Sequence, residues 1–312
     1  MVLGAFFLSG AFMLAGTSVI AGRFVAGEVG TFTIAAVSLF FAILALLPLC
    51  RQKLLEALRR NSPREWLPLL LQALFGIFLF RMFLLLGLLR TSAGEAGILT
   101  GVTPAATALM AMLWLKEPPY KTRILGLVST VTGILLLQGA LVLGDGFSLG
   151  HFSGNLLVIC AALSESLFNI LSRLSSVETT KGQRQALDPV VQTTLVAGIA
   201  LLLCLGPALA EHPFPTLASL GVLEWMALAW YGLFVTALAF IFWYAGIKRC
   251  QASTAAAFSG MMPFTSLLLS VILLQEQPGW QQWSGGFMVM LGMLLTGLQQ
   301  PAGDARETGK TA

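Results

Sequence analysis

The sequence predicts an all-α integral membrane protein of ten transmembrane helices, arranged as two inverted five-helix repeats. Three observations predict it: an apolar composition, ten apolar runs of spanning length, and a register in which the chain matches itself. Apolar residues make up 57% of the 312-residue chain and charged residues only 10%, with a mean hydropathy of +0.85. Soluble domains carry about 25% charged residues, so this chain has too few polar groups to cover a water-facing surface. Lipid is the solvent that suits it.

A helix needs about 20 apolar residues to cross the hydrocarbon core. Runs of this kind fall near 2–22, 31–50, 66–89, 92–114, 122–142, 153–175, 189–210, 222–246, 252–274 and 282–299. The joints between them carry breakers: Gly27 and Gly30, Asn61 to Pro63, Pro118 and Pro119, Gly144 to Gly150, Pro213 and Pro215, and Pro278. The first run lacks a basic leader and is followed directly by another apolar run, so it reads as a span rather than a signal peptide. Residues 301–312 are polar and are expected to form a disordered cytoplasmic tail.

The placement of charge sets an orientation. With the N-terminus in the cytoplasm and all ten runs spanning, fifteen Lys and Arg fall on the inner side. Only Arg23 and Arg90 fall on the outer side, and Arg81 lies within a span. Adding or removing one span would exchange every later loop and destroy this asymmetry, which is the positive-inside pattern of a cell-membrane protein with both termini cytoplasmic. The same distribution explains the net charge of +4 without nucleic acid as a partner. Between residues 51 and 64, Leu54, Leu55 and Leu58 share a face opposite basic side chains. That segment reads either as a short interfacial helix on anionic headgroups or as a basic inner loop.

Displacing the chain by 159 residues aligns its punctuation without a gap: Gly87 with Gly246, Ala93 with Ala252, Gly101 with Gly260, Pro104 with Pro263, Glu117 with Glu276, Pro119 with Pro278, Gly126 with Gly285 and Gly133 with Gly292. Such a register marks a duplicated unit. The expected repeats are 1–142 and 143–300. Five spans is an odd number, so the second copy enters the membrane from the opposite side, as in many secondary transporters that rock around a central site. A duplication that merely packs two bundles is the other reading.

The stretch Leu89-Arg90-Thr91-Ser92-Ala93-Gly94 running to Pro104 and Leu115-Lys116-Glu117, its weaker echo from Gln251-Ala252-Ser253 to Pro263 and Glu276, Gly16-Thr17-Ser18 and Ser172-Arg173 together resemble the drug/metabolite transporter superfamily, in its EamA-type ten-helix form. The resemblance covers about residues 3–299. It implies a central cavity lined by the first, third, fourth, sixth, eighth and ninth spans, and export of amino acids, drugs, nucleobases or other metabolites. Two residues depart from the family pattern: Arg81, where a neutral residue is common, and Glu165, where an aromatic is common.

A charge at the bilayer centre costs about 2.5–3.5 kcal/mol on insertion scales, so Arg81 and Glu165 are expected to face the interior or a wet cavity. As a pair they suit a zwitterion. The guanidinium would hold a carboxylate, and Glu165 would take an ammonium or a coupling proton. They would otherwise bridge each other as a structural pair or gate. Pro104 and Pro263 free the carbonyls of Thr100 and Ser259 beside Gly101 and Gly260, which makes Gly101, Pro104, Gly260 and Pro263 hinge candidates and Thr100 and Ser259 lining candidates. Simple packing kinks are the alternative.

Ser166 and Asn169 share a face with Glu165 or lie one turn on; they line the site or bond neighbouring helices. Trp230 and Tyr231 are candidates for stacking on a substrate, while Trp243 and Tyr244 suit an interfacial belt. Glu95 reads as a solvated end residue or an outer gate with Arg81 or Arg90, and Glu117 and Glu276 as caps at membrane ends. His151 and His212 receive no role.

The expectation is therefore a transporter, not an enzyme, that exports an amino acid or related small metabolite by alternating access. A drug or nucleobase exporter, a channel-like facilitator and a membrane-embedded enzyme are the rivals. Small-molecule substrate and membrane lipid are the expected partners, with proton coupling; no oligomeric state is specified. The scattered Cys50, Cys160, Cys204 and Cys250 offer no metal-ligand spacing, and no metal, cofactor or ATP-binding motif is present.

Overall fold

The computed structural model describes residues 2–60, 63–114, 121–137, 149–180, 187–249, 258 and 261–297. Among these the chain is almost entirely helical, with no strand beyond a single bridge between Ala26 and Val29. Ser259, Gly260, Glu117 and the tail at 301–312 lie outside the described residues.

Helices occupy the expected positions, and their differences from expectation have local causes. Val2–Val25 forms the first span, and Gly27 at φ +94° turns the chain into the second, Thr31–Arg60. This helix is 30 residues long and runs through Pro48 and beyond the expected end. Residues 51–60 are thus neither a separate interfacial helix nor a loop. Their apolar face, Leu54 and Ala57, packs into a cluster with Trp66 and Leu69 of the third span, which draws the helix onward.

The third span is built in three pieces: α-helix Pro63–Ala73, a π-helical segment Leu74–Leu79 and α-helix Phe80–Leu88. The eighth repeats this plan with Val222–Trp230, a π-helical segment Tyr231–Leu238 and Ala239–Ile247. A π turn leaves its carbonyls in search of donors, and the Thr236 hydroxyl supplies one to the Tyr231 carbonyl at 2.8 Å.

The fourth span is interrupted. Ala93–Thr100 starts at Ser92, whose hydroxyl accepts from the Glu95 N–H at 3.1 Å, and a second helix, Thr103–Trp114, follows. The break falls at Gly101 and Val102, whose N–H groups bond the Ile98 and Leu99 carbonyls at 2.9 and 3.0 Å. Pro104 therefore sits in the first turn of the second piece, where a missing N–H costs nothing, and not at a mid-helix kink. Pro263 lies in Met261–Leu273, the described part of the ninth span. Helices Lys121–Leu137, Leu149–Thr180, Pro189–Ala210 and Trp280–Gly297 fall on the runs expected for the fifth, sixth, seventh and tenth spans, with a short helix Pro213–Ala218 after the seventh. Among the described residues, the helices of the first, second, third, sixth, seventh and eighth spans, six in all, are long and apolar enough to cross a membrane.

Glycine explains how closely the spans pack. A Cβ on Gly133 would lie 2.7 Å from the Gly285 carbonyl oxygen, and one on Gly292 2.6 Å from that of Gly126, so the fifth and tenth spans touch backbone to backbone. Gly87 packs on Val158 of the sixth span as Gly246 packs on Leu8 of the first. The glycines of these contacts are themselves related by the 159-residue register: Gly133 with Gly292, Gly126 with Gly285 and Gly87 with Gly246. The first span accordingly lies on the eighth as the third lies on the sixth, while second and seventh pack together.

Candidate functional site

Between the two π segments lies a cavity of about 80 Å³ walled by the first, third, sixth, eighth and ninth spans. The fourth span approaches it through Thr103, which reaches the cavity residue Glu165. Most of the wall is aromatic. Phe168 lies with its ring centroid 5.6 Å from Phe240 and 6.5 Å from Trp243, and Trp243 meets Phe12 edge-on at 5.7 Å. The polar groups on the wall are Ser18, Arg81, Glu165, Asn169, Tyr231 and Trp243.

Arg81 lies two residues beyond the first π segment and is 3% exposed. Its guanidinium donates to the Ser38 hydroxyl at 2.6 Å and to Thr236, approaches the Ala35 carbonyl at 3.5 Å, and lies 4.3 Å over the Tyr231 ring. These partners are neutral. No carboxylate among the described residues pairs with Arg81, so its charge is held by hydroxyls and a π face. On another wall, Glu165 accepts from the Thr103 hydroxyl at 2.8 Å and has no cationic partner among the described residues. The structural pairing of the two is not formed.

Buried polar atoms without a hydrogen-bond partner among the described residues gather at this cavity: the Ser18 hydroxyl, the Tyr231 hydroxyl and the Trp243 indole N–H. An unpaired buried polar group costs about 1–3 kcal/mol. Three of them around one space mark a place suited to a polar guest.

Other candidates lie elsewhere. Ser166 is fully buried and bonds the Thr103 and Ala162 carbonyls at 3.0 and 2.8 Å, tying the sixth span to the fourth. Thr100 is buried and bonds the Gly97 carbonyl at 2.6 Å, off the cavity wall. Trp230, 40% exposed, stacks on Phe234 and donates to Thr17 at 2.9 Å, on the outside of the bundle rather than in the cavity. Gly101 marks the break, yet the space beside it is filled by Val289 and Met293 of the tenth span. Trp243 and Tyr244 form no interfacial belt: Trp243 lines the cavity and Tyr244 is 1% exposed.

On the face of the bundle that holds the N-terminus, Tyr244 closes a buried polar layer with three other spans. Gln72 accepts from Tyr244 at 3.0 Å and from Gln192 at 3.1 Å, and donates to Ser175 at 3.3 Å. Nearer the surface, Lys53 meets Asp188 at 3.0 Å. Burial opposes ionisation of Asp188, but hydrogen bonds from Lys53 and the Val190 N–H, with the charges of Lys53 and Lys248, outweigh it and hold the carboxyl below the usual range.

The opposite face is fastened by carboxylates. Glu211 accepts from the Phe32 and Thr33 N–H groups at 3.1 and 2.8 Å, and Glu276 from those of Ala93 and Gly94 at 2.9 and 2.8 Å. Glu276 is thus a cap, as expected, and it caps the fourth span. Glu95 is neither solvated nor paired with Arg81 or Arg90. It is 6% exposed and accepts from Thr91, Asn155 and Gln282 at 2.8, 3.2 and 3.1 Å.

Comparison with known proteins agrees with this architecture. The model of the EamA-like transporter family matches residues 2–139 and again 152–298. The uncharacterized transporter YetK of Bacillus subtilis is 29% identical over 277 residues, covering 88% of this chain and 78% of its own length. An uncharacterized transporter of Synechocystis is 30% identical over 292 residues, covering 87% of this chain and 82% of its own. A protein of known crystal structure, 21% identical, superposes with a TM-score of 0.64 over 94% of this chain and 95% of that one, and so shares its fold.

Proposed function

Because the chain belongs to the EamA-like transporter family, we propose that it is a secondary carrier exporting an amino acid or a related small metabolite by alternating access around the central cavity. One observation carries the substrate class. Among the described residues, the cavity wall holds a buried cation without an anionic partner, Arg81, and a carboxylate without a cationic partner, Glu165, within aromatic surroundings. A zwitterion complements both charges at once. Its carboxylate would take the guanidinium donors that Ser38 and Thr236 leave uncommitted, and its ammonium would take the free oxygen of Glu165. The same carboxylate suits a coupling proton when no ammonium is present.

An 80 Å³ cavity is smaller than the roughly 300–1,000 Å³ of pockets that hold drug-sized ligands. Cargo therefore enters by parting of the wall, which alternating access provides. The register-related contacts support division into repeats 1–142 and 143–300 of opposite sense. The excess of Lys and Arg at one face supports a cell-membrane orientation with both termini cytoplasmic.

Counterflow of a labelled neutral amino-acid mixture in proteoliposomes tests the reading. Saturable exchange is expected, with competition by free amino acids and none by their N-acetylated or esterified forms. Equal competition by the blocked forms would refute the zwitterion site, and unsaturable ion current would replace the carrier with a channel. Glu165→Gln is expected to slow exchange and to remove the pH dependence of the flux that remains; wild-type exchange in this variant overturns the assignment of Glu165. Maleimide labelling of Gln277→Cys from the external side checks the orientation, and labelling only from the cytoplasmic side reverses it.

A further inference from the structure

Thr103 stands where the broken fourth span meets the cavity acid. It is 6% exposed and is the first residue of the helix Thr103–Trp114, directly after the break at Gly101 and Val102. Its hydroxyl donates to Glu165 at 2.8 Å, and its own carbonyl accepts from Ser166, the next residue of the sixth span, at 3.0 Å. One residue of the first half is therefore held by two consecutive residues of the second. Before the break, the span has several anchors: Gly97 packs against Ser266 of the ninth span, and Glu95 accepts from Asn155 of the sixth and Gln282 of the tenth at 3.2 and 3.1 Å. At the break, Gly101 packs against Val289 and Met293 of the tenth. The piece before the break is thus held on three sides, while the piece after it joins the cavity acid through Thr103.

We propose that Thr103 is a positioning residue that couples the load state of Glu165 to the break in the fourth span. The inference rests on the reading of Glu165 as the cavity acid that takes cargo or a proton. A hydroxyl donating to an ionised carboxylate makes a charge-assisted bond, roughly twice as strong as a neutral one. With the cavity empty, Glu165 grips Thr103 and holds the helix Thr103–Trp114 against the sixth span. An ammonium or proton arriving on the carboxylate neutralises it and weakens that grip. The helix is then free to swing about Gly101 and Val102. The Ser166 bond has no charge to lose, so it keeps the register of the two helices while the grip changes. Thr103 touches no substrate in this scheme; it acts through Glu165.

Spin labels at Leu113, on the swinging helix, and at Leu174, on the sixth span, report the movement in lipid nanodiscs by electron–electron distance measurement on the full-length protein. Both sites are exposed, at 67% and 42%. In wild type without added substrate the near-distance population is expected to dominate. Thr103→Val, which keeps shape and removes the hydroxyl, is expected to raise the ratio of far to near populations about tenfold, the worth of one charge-assisted hydrogen bond. Glu165→Gln, a permanent mimic of the neutralised acid, shifts the ratio in the same direction. The double variant shifts it no further than the larger single effect, and Thr103→Ser restores the wild-type distribution.

A Thr103→Val distribution identical to wild type beside a shifted Glu165→Gln overturns the coupling and leaves Glu165 as a cargo site. Additive shifts overturn it as well, since Thr103 would then act independently of the acid. A Thr103→Ser that stays shifted assigns Thr103 to packing alone and also refutes the proposal. The cavity reading fails separately, through wild-type exchange in Glu165→Gln.

Discussion

Replacing Arg81 by Met separates what this residue does for the fold from what it does for transport. Its guanidinium makes two short bonds, to Ser38 at 2.6 Å and to Thr236, and lies over the Tyr231 ring. Hydrogen bonds involving a charged group stabilise by about 1.5–3 kcal/mol each, and a desolvated cation–π contact by about 2 kcal/mol, roughly 5–8 kcal/mol together. Against this stands the several kcal/mol that an uncompensated buried ion loses in desolvation, even after relaxation. The two nearly cancel.

The groups that Arg81 leaves behind are also not stranded. Ser38 already donates within hydrogen-bond distance of the Ile34 and Ala35 carbonyls, at 2.8 and 3.0 Å, and Thr236 donates to Tyr231 at 2.8 Å. Arg81→Met should therefore change stability by no more than about 2 kcal/mol, in either direction. Exchange of neutral amino acids should fall about 100-fold or more, because a charge-assisted bond to the cargo carboxylate, about 3 kcal/mol, is gone. Thermal unfolding in nanodiscs and counterflow in liposomes measure the two effects on one preparation. A variant that melts far below wild type makes Arg81 a structural post. One that melts normally and still exchanges at the wild-type rate removes it from the site.

Three further outcomes follow from the packing. Gly133→Val should destabilise by about 1–3 kcal/mol through overpacking, because its Cβ would sit 2.7 Å from the Gly285 carbonyl oxygen; an unchanged melting temperature would contradict the close contact of the fifth and tenth spans. Gln72→Leu removes the hub shared by Tyr244, Gln192 and Ser175 and should lower stability by about 1–3 kcal/mol for each donor left unpaired. Tyr244→Phe, which removes one donor and strands none, should be milder; the reverse order would contradict the hub. Asp188 has its proton affinity depressed, so its contribution is present above its unfolded value near pH 4 and is lost as pH falls through the folded value. Asp188→Asn, which still caps the helix, should cost under about 1 kcal/mol at neutral pH because the Lys53 pair is exposed, and the cost should shrink as pH falls below about 4 and vanish once the folded carboxyl is protonated. A difference that does not shrink on acidification would show that the charge is not its source.

The scaffold was legible because its signals are periodic and strong. Apolar runs give the spans, and glycines in one register give the close contacts: Gly126 and Gly133 recur as Gly285 and Gly292 because each touches its partner's backbone. Arg81 and Glu165 were legible because an ionised group in an apolar run is expensive anywhere except at a cavity. Thr103, Ser18, Ser38 and Thr236 were not. A Ser or Thr in a membrane helix ordinarily bonds its own backbone, as Thr265 does to the Met261 carbonyl at 2.7 Å, and nothing in sequence separates it from one that reaches across. Glu95 misled for a related reason. A carboxylate at a helix start reads as solvated, and only the fold brings Thr91, Asn155 and Gln282 around it. The π segments carry no sequence signal at all, and the break in the fourth span falls at Gly101 and Val102 rather than as a kink at Pro104, because Pro104 sits where a helix can begin.

The register also reaches the cavity, where it explains why the site is chemically lopsided on a symmetric frame. Gly76, Phe80 and Arg81 of the third span fall, 159 residues on, at Val235, Ala239 and Phe240 of the eighth, and all six line the cavity. The two π segments, Leu74–Leu79 and Tyr231–Leu238, overlap in the same register. Backbone geometry is thus shared, and an axis relating the halves would pass through the cavity itself. Such an axis suits a carrier that must present equivalent walls to either side in turn. A cargo with one carboxylate and one ammonium has no such symmetry. The charge has to differ where the backbone does not, and it does: Arg81 stands opposite Phe240 in the register. Selection for cargo therefore acts on the positions where the two halves disagree, and selection for movement on those where they agree. Exchanging the pair, Arg81→Phe with Phe240→Arg, keeps every wall atom type while moving the cation to the other half. If the frame is symmetric about the cavity, the doubly exchanged protein should fold with a melting temperature near wild type. It should lose neutral amino-acid exchange, because the cation would no longer meet Ser38, Thr236 and the Tyr231 ring. Full exchange activity in that variant would mean that the cavity reads only total charge, and the placement of Arg81 would carry no specificity.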